Sequence, residues 1–142
     1  MTRSARVAGL LLSVYLVLLL VALLAPESGR QTEAVYWLQH LLARVGVDGP
    51  QVTYDRLEVV GNALIVVPVA LLGSEIRPAW SWRDWTALAF LGSLAVETVQ
   101  GLLLPDRQAA FSDVVANTVG ALAGALLFRL LRPMLRAKGS ER

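Results

Sequence analysis

Four apolar runs, each close to the length that crosses a lipid bilayer, decide what this chain can fold into. They are Val7–Ala25, Leu57–Gly73, Trp85–Leu104 and Ser112–Leu131. A helix rises about 1.5 Å per residue, so about twenty apolar residues traverse a hydrocarbon core roughly 30 Å thick. Inside lipid the backbone must satisfy its own N–H and C=O groups, and separated runs of this length do so as helices. The composition agrees, with 56% of the 142 residues hydrophobic and only 17% charged, too apolar for an ordinary soluble domain. These features predict an all-α, polytopic membrane protein with four transmembrane helices. Residues 1–132 are read as one membrane domain and residues 133–142 as a basic cytoplasmic tail, disordered from Lys138 to Arg142.

The first run follows Arg3 and Arg6. A cleaved signal peptide has a shorter apolar core, and Leu23-Leu24-Ala25 is a poor cleavage site, so a retained helix is expected. Pro26, Ser28-Gly29 and Asp48-Gly49-Pro50 then break the hydropathy. Within that loop Ala34, Leu38, Leu41, Leu42 and Val45 recur at helical spacing beside Tyr36 and Trp37. This predicts a short amphipathic helix lying at the membrane interface, between the first two spans. In the second span Pro68 removes a backbone donor and frees the Leu64 carbonyl, so a kink is expected.

Basic residues set the orientation. With four spans, Arg3, Arg6, Arg77, Arg83 and the tail residues Arg129, Arg132, Arg136, Lys138 and Arg142 share one side. Arg30, Arg44, Arg56 and Arg107 share the other. The larger set faces the cytoplasm, which places both termini inside and the amphipathic helix and the Pro105 turn outside.

The third and fourth spans form a hairpin with polar residues that an ordinary apolar span does not carry: Glu97, Gln100, Arg107, Asp113 and Asn117. An acid near a helix centre costs roughly 3 kcal/mol on the insertion scale, and each Leu, Phe or Val returns roughly 0.3–0.6 kcal/mol. Nine such residues accompany Glu97, which gives about 3–5 kcal/mol in favour, so the span inserts with little to spare. Asp113, Asn117, Gly120 and Gly124 follow steps of four, three and four, one face of a helix. Gly120 and Gly124 make a GxxxG pair suited to close helix packing, within the chain or with a second copy. Asp113, beside Ser112, also suits a helix N-terminus. In this topology Asn62, together with Glu58, lies at a similar depth on the second span. Asn62, Glu97, Gln100, Arg107, Asp113 and Asn117 are therefore expected to meet in an outward-facing polar pocket, where ionisable groups within a membrane mark function by default.

No cysteine is present and His40 is the single histidine, which excludes thiolate chemistry, disulfides and His-rich metal sites. No metal, cofactor or nucleic-acid partner is expected. The ordered set Asn62 and Pro68, Glu97-x-x-Gln100, Arg107, then Asp113, Asn117, Gly120 and Gly124 resembles the VanZ-like family of small bacterial membrane proteins. The resemblance spans residues 54–128. Two positions depart from its pattern, Val66 and Ala70, and no second acid stands before Asp113 to pair with it around a divalent metal. The resemblance implies a multi-pass protein of the bacterial cytoplasmic membrane, in a family named for a member associated with teicoplanin resistance.

Three functions are consistent with these residues. The first is a binding protein whose pocket holds a membrane lipid or lipid-linked envelope precursor and so alters glycopeptide susceptibility. The second is an intramembrane enzyme with Glu97 as general acid or base, although no activated nucleophile accompanies it. The third is a proton-coupled transporter, which needs a homo-oligomer through the Gly120/Gly124 face. The first accounts for the amides, the arginine and the acids together.

Overall fold

The computed structural model describes residues 2–24, 29–47, 49–50, 52–103 and 110–139 of the chain. The described residues form five helices: α1 (Arg3–Leu24), α2 (Gly29–Arg44), α3 (Tyr54–Ile76), α4 (Trp82–Leu103) and α5 (Phe111–Gly139). Three of them, α1, α3 and α5, are long and apolar enough to cross a membrane. α4 is 22 residues long, but Arg83, Asp84, Glu97 and Gln100 dilute its apolar run. α2 is shorter, with Arg44 in its last turn.

The helix ends have local causes. Thr53 caps α3 by accepting the Arg56 N–H through its side chain, which satisfies one donor left over at a helix start. At the start of α4 the reverse half of a capping box is formed, from Asp84 back to Ser81. The Asp84 carboxylate accepts the Ser81 backbone N–H at 2.7 Å and the Ser81 hydroxyl at 2.8 Å. Along the apolar helices Ser74, Thr86, Thr98 and Thr118 donate their hydroxyls to the carbonyl four residues earlier. None of these four hydroxyls is left wanting a partner in lipid. α5 continues past Leu131 through Pro133 to Gly139. The helix therefore takes in Lys138 and most of the basic tail, whose Arg and Lys residues are good helix formers.

α1 packs on α3, α3 on α5, and α5 on α4, so the four long helices stand in the order α1–α3–α5–α4. The α3–α5 contact is the closest. A side-chain carbon at Gly120 would strike the Ala63 carbonyl oxygen, and one at Gly124 would strike that of Val67 and lie 3.2 Å from the Ala70 Cβ. Both glycines step in register with α3, from 63 to 67 as from 120 to 124, so α3 and α5 run parallel. The GxxxG pair thus serves a contact within one chain, and that contact occupies the face the spacing also offered to a second copy. α4 runs antiparallel to α5: its start, Trp85, packs with Ala121, Ala125 and Ala70, while Glu97 near its end meets Ala110 at the α5 start.

α1 is held to the bundle through α3. The Tyr15 hydroxyl donates to the Ile65 carbonyl at 2.7 Å, in the turn of α3 that Pro68 deprives of a donor. α2 reaches α3 through the Tyr36 and Tyr54 rings, 5.3 Å apart, and the residues just before α3 through Gln39, whose amide donates to the Val52 carbonyl at 3.0 Å.

Candidate functional site

The α1–α3–α5–α4 row is not flat, because its two end helices line the same groove. That groove has a volume of about 480 Å³. α3 and α5 make its floor with Asn62, Val66 and Ala70 from one and Asn117 and Ala121 from the other. Leu16 and Leu19 of α1 form one wall. Leu88, Gly92, Ser93 and Val96 of α4 form the opposite wall, and Trp85 stands at the start of that helix. The lining is apolar apart from a few groups, of which Asn62 and Asn117 are the most capable of hydrogen bonding.

Both asparagines are half-buried. Among the described residues neither side-chain amide is engaged in a hydrogen bond. Neither amide is sealed inside the protein; both open on the groove, where an occupant that supplies donors and acceptors would engage them. A groove of this volume falls within the usual range for small-molecule sites, about 300–1,000 Å³.

The other expected site residues lie towards one end of the groove. α3 and α5 both begin there and α4 ends there. Asp113 stands one turn before Asn117 on α5, and Gln100 one turn beyond Val96 on α4. Both are half-buried. Glu97 does not line the groove. Its carboxylate accepts the Ala110 backbone N–H at 2.9 Å, fastening the end of α4 to the residue that precedes α5. The Asp113 N–H donates to the Ala110 carbonyl at 3.0 Å, and Asp113 supplies the acid of the first α5 turn, where the helix dipole favours negative charge. Arg107 lies outside the described residues.

The structure therefore brings Asn62 and Asn117 together in one groove and gives Glu97 a backbone partner. It adds residues that polar motifs did not single out. Trp85 is 8% exposed. Its six-membered ring fills the space beside Gly73, where a Cβ would strike it, and its ring centroid is 4.9 Å from that of Trp80. Its Nε1 is buried without a hydrogen-bond partner. Leu16 and Leu19 had no sequence signal beyond apolarity. Gly92 had one, a glycine inside a helix, where it costs about 0.5–1 kcal/mol relative to alanine. Among the described residues no group of three or more His, Asp or Glu side chains is placed to hold a metal ion.

A family model described as VanZ/LLP1 matches residues 9–132. No curated protein and no solved structure matches the chain. The matched segment runs from the first turns of α1 through nearly all of the apolar part of α5 and contains every groove-lining residue. With its long apolar helices, this chain is a membrane protein and belongs to the VanZ/LLP1 family.

Proposed function

We propose that the protein binds a membrane lipid, or the headgroup of a lipid-linked envelope precursor, in the groove between α1, α3, α4 and α5. The observation that carries this reading is the pair of unengaged amides, Asn62 and Asn117, on an otherwise apolar floor. Apolar walls suit a lipid, and amides suit the hydroxyl, amide or phosphate oxygens of a polar headgroup. In sequence Arg107 stands between Leu103, which ends α4, and Ala110, which precedes α5. A guanidinium at that end pairs with a phosphate or carboxylate through two parallel bonds.

In this reading α4 also spans the membrane. Its apolar part, from Trp85 to Leu103, extends about 28 Å, and it packs antiparallel to α5. Four spans then place both termini in the cytoplasm by the distribution of Arg and Lys, with α2 at the outer interface and the polar end of the groove facing outwards. The setting is the bacterial cytoplasmic membrane, and occupancy of the groove alters access of teicoplanin-type glycopeptides to the envelope. Glu97 does not line the groove and one of its oxygens holds the Ala110 N–H, which favours binding over acid–base catalysis by that residue.

Native mass spectrometry of the detergent-extracted protein tests the proposal. Wild type is expected to retain a bound lipid that the near-isosteric double variant Asn62→Leu/Asn117→Leu loses, with Arg107→Ala retaining less. Equal retention by wild type and the double variant would remove the basis of the reading.

A further inference from the structure

We infer that the groove takes a single hydrocarbon chain of the bound lipid, entering sideways between α1 and α4, with its polar end at Asn62 and Asn117 and its tail stopped by Trp85. The inference rests on the lipid-binding reading above and specifies how the lipid lies. Three observations carry it. First, the walls of the groove are the two ends of the helix row. Residues on the outer faces of these helices, Val14 and Leu18 on α1 and Leu91 on α4, are exposed and apolar. The gap between α1 and α4 therefore borders lipid tails, and an amphiphile already in the bilayer reaches the groove without crossing water.

Second, the groove has a polarity and a length. The asparagines lie at one end, and from there the lining runs through Val66, Ala70 and Leu88 to Trp85. Val96 to Trp85 is eleven residues of α4, about 16 Å. The buried Trp85 ring, fixed between Gly73 and Trp80, closes the far end.

Third, the groove is open where a chain would lie. Gly92 lines it, yet a Cβ built at Gly92 meets nothing within 4 Å. A large side chain placed there occupies groove space without striking the bundle, so Gly92→Phe fills the groove while the helices keep their packing. Leu91→Phe, one residue away on the exposed face, is the matched control.

The test uses the full chain in nanodiscs doped with a phosphatidylglycerol bearing a diazirine at the end of one acyl chain. Wild type is expected to give photoadducts in Trp85–Ala89, the segment at the closed end of the groove. Gly92→Phe is expected to lower those adducts about ten-fold relative to adducts at exposed Leu10, and Leu91→Phe to leave them unchanged. Undiminished groove adducts in Gly92→Phe overturn the inference. Native mass spectrometry separates the two claims. Lipid kept by Gly92→Phe but lost by Asn62→Leu/Asn117→Leu overturns the seated chain and leaves the binding reading intact; lipid kept by both variants overturns both.

Discussion

At the scale of single residues, two glycines and one glutamate set the geometry. Gly120 and Gly124 face backbone across a contact too close for any side chain, so Gly120→Ala must push α3 and α5 apart. Overpacking of this kind costs about 1–3 kcal/mol. Gly61, on the same helix as Ala63, has open space around its missing Cβ. Gly61→Ala is expected to leave stability unchanged or raise it by about 0.5–1 kcal/mol. Unfolding of both variants in detergent, followed by circular dichroism, checks the contrast. Glu97 makes a second case. Glu97→Leu leaves the Ala110 N–H without its carboxylate acceptor, at a cost of about 1–3 kcal/mol, whereas Glu97→Gln keeps an acceptor oxygen there and costs less. Hydrogen exchange at the Ala110 amide is expected to rise sharply in Glu97→Leu and modestly in Glu97→Gln. The sequence located Glu97 as a costly acid but not its partner, because that partner is a backbone N–H that any residue at position 110 except proline would supply. The GxxxG spacing likewise announced a close contact without stating which helix makes it.

Elements were more legible. α1, α3 and α5 follow apolar runs whose ends agree with the helix ends to within a few residues, except where the basic segment extends α5 to Gly139. Helix formation there is dictated by length and apolarity alone. The capping box of α4 was readable in principle as Ser81-x-x-Asp84. Its carboxylate, at the exposed start of the helix and ahead of the apolar run, is held below the usual aspartate range by hydrogen bonds from the Ser81 backbone and hydroxyl. A lowered carboxyl pKa contributes stability that is complete above the unfolded value of 3.8 and lost as pH falls through the folded value. The Ser81 amide proton shift is therefore expected to titrate with a midpoint below 3.8, and Asp84→Asn to abolish that titration. A midpoint at or above the ordinary value would contradict the bonded cap. By contrast, the order α1–α3–α5–α4 had no signal in the sequence, since all four helices present apolar faces and only their side-chain shapes choose neighbours.

At the scale of the whole molecule, the groove is a consequence of that order. A row whose ends both line one space leaves a gap between them, and α1 closes one side while packed on α3. The Tyr15 hydroxyl bond to the Ile65 carbonyl fixes this wall. Tyr15→Phe is expected to loosen α1 by about 0.5–1.5 kcal/mol, seen as faster hydrogen exchange along α1 with α3 and α5 unaffected. The polar pocket anticipated from the hairpin divides in the structure into a groove carrying Asn62 and Asn117 and a clasp made by Glu97 at the hairpin end. A lipid that binds this groove only in the folded protein raises its stability by RT ln(1 + [L]/Kd), about 2.7 kcal/mol at one hundred times Kd. The most direct measurement is the Tm of the delipidated protein with and without added bacterial membrane lipid. Lipid binding in the groove raises the Tm of wild type by several degrees and leaves that of Asn62→Leu/Asn117→Leu unchanged; an equal rise in both proteins would contradict binding there.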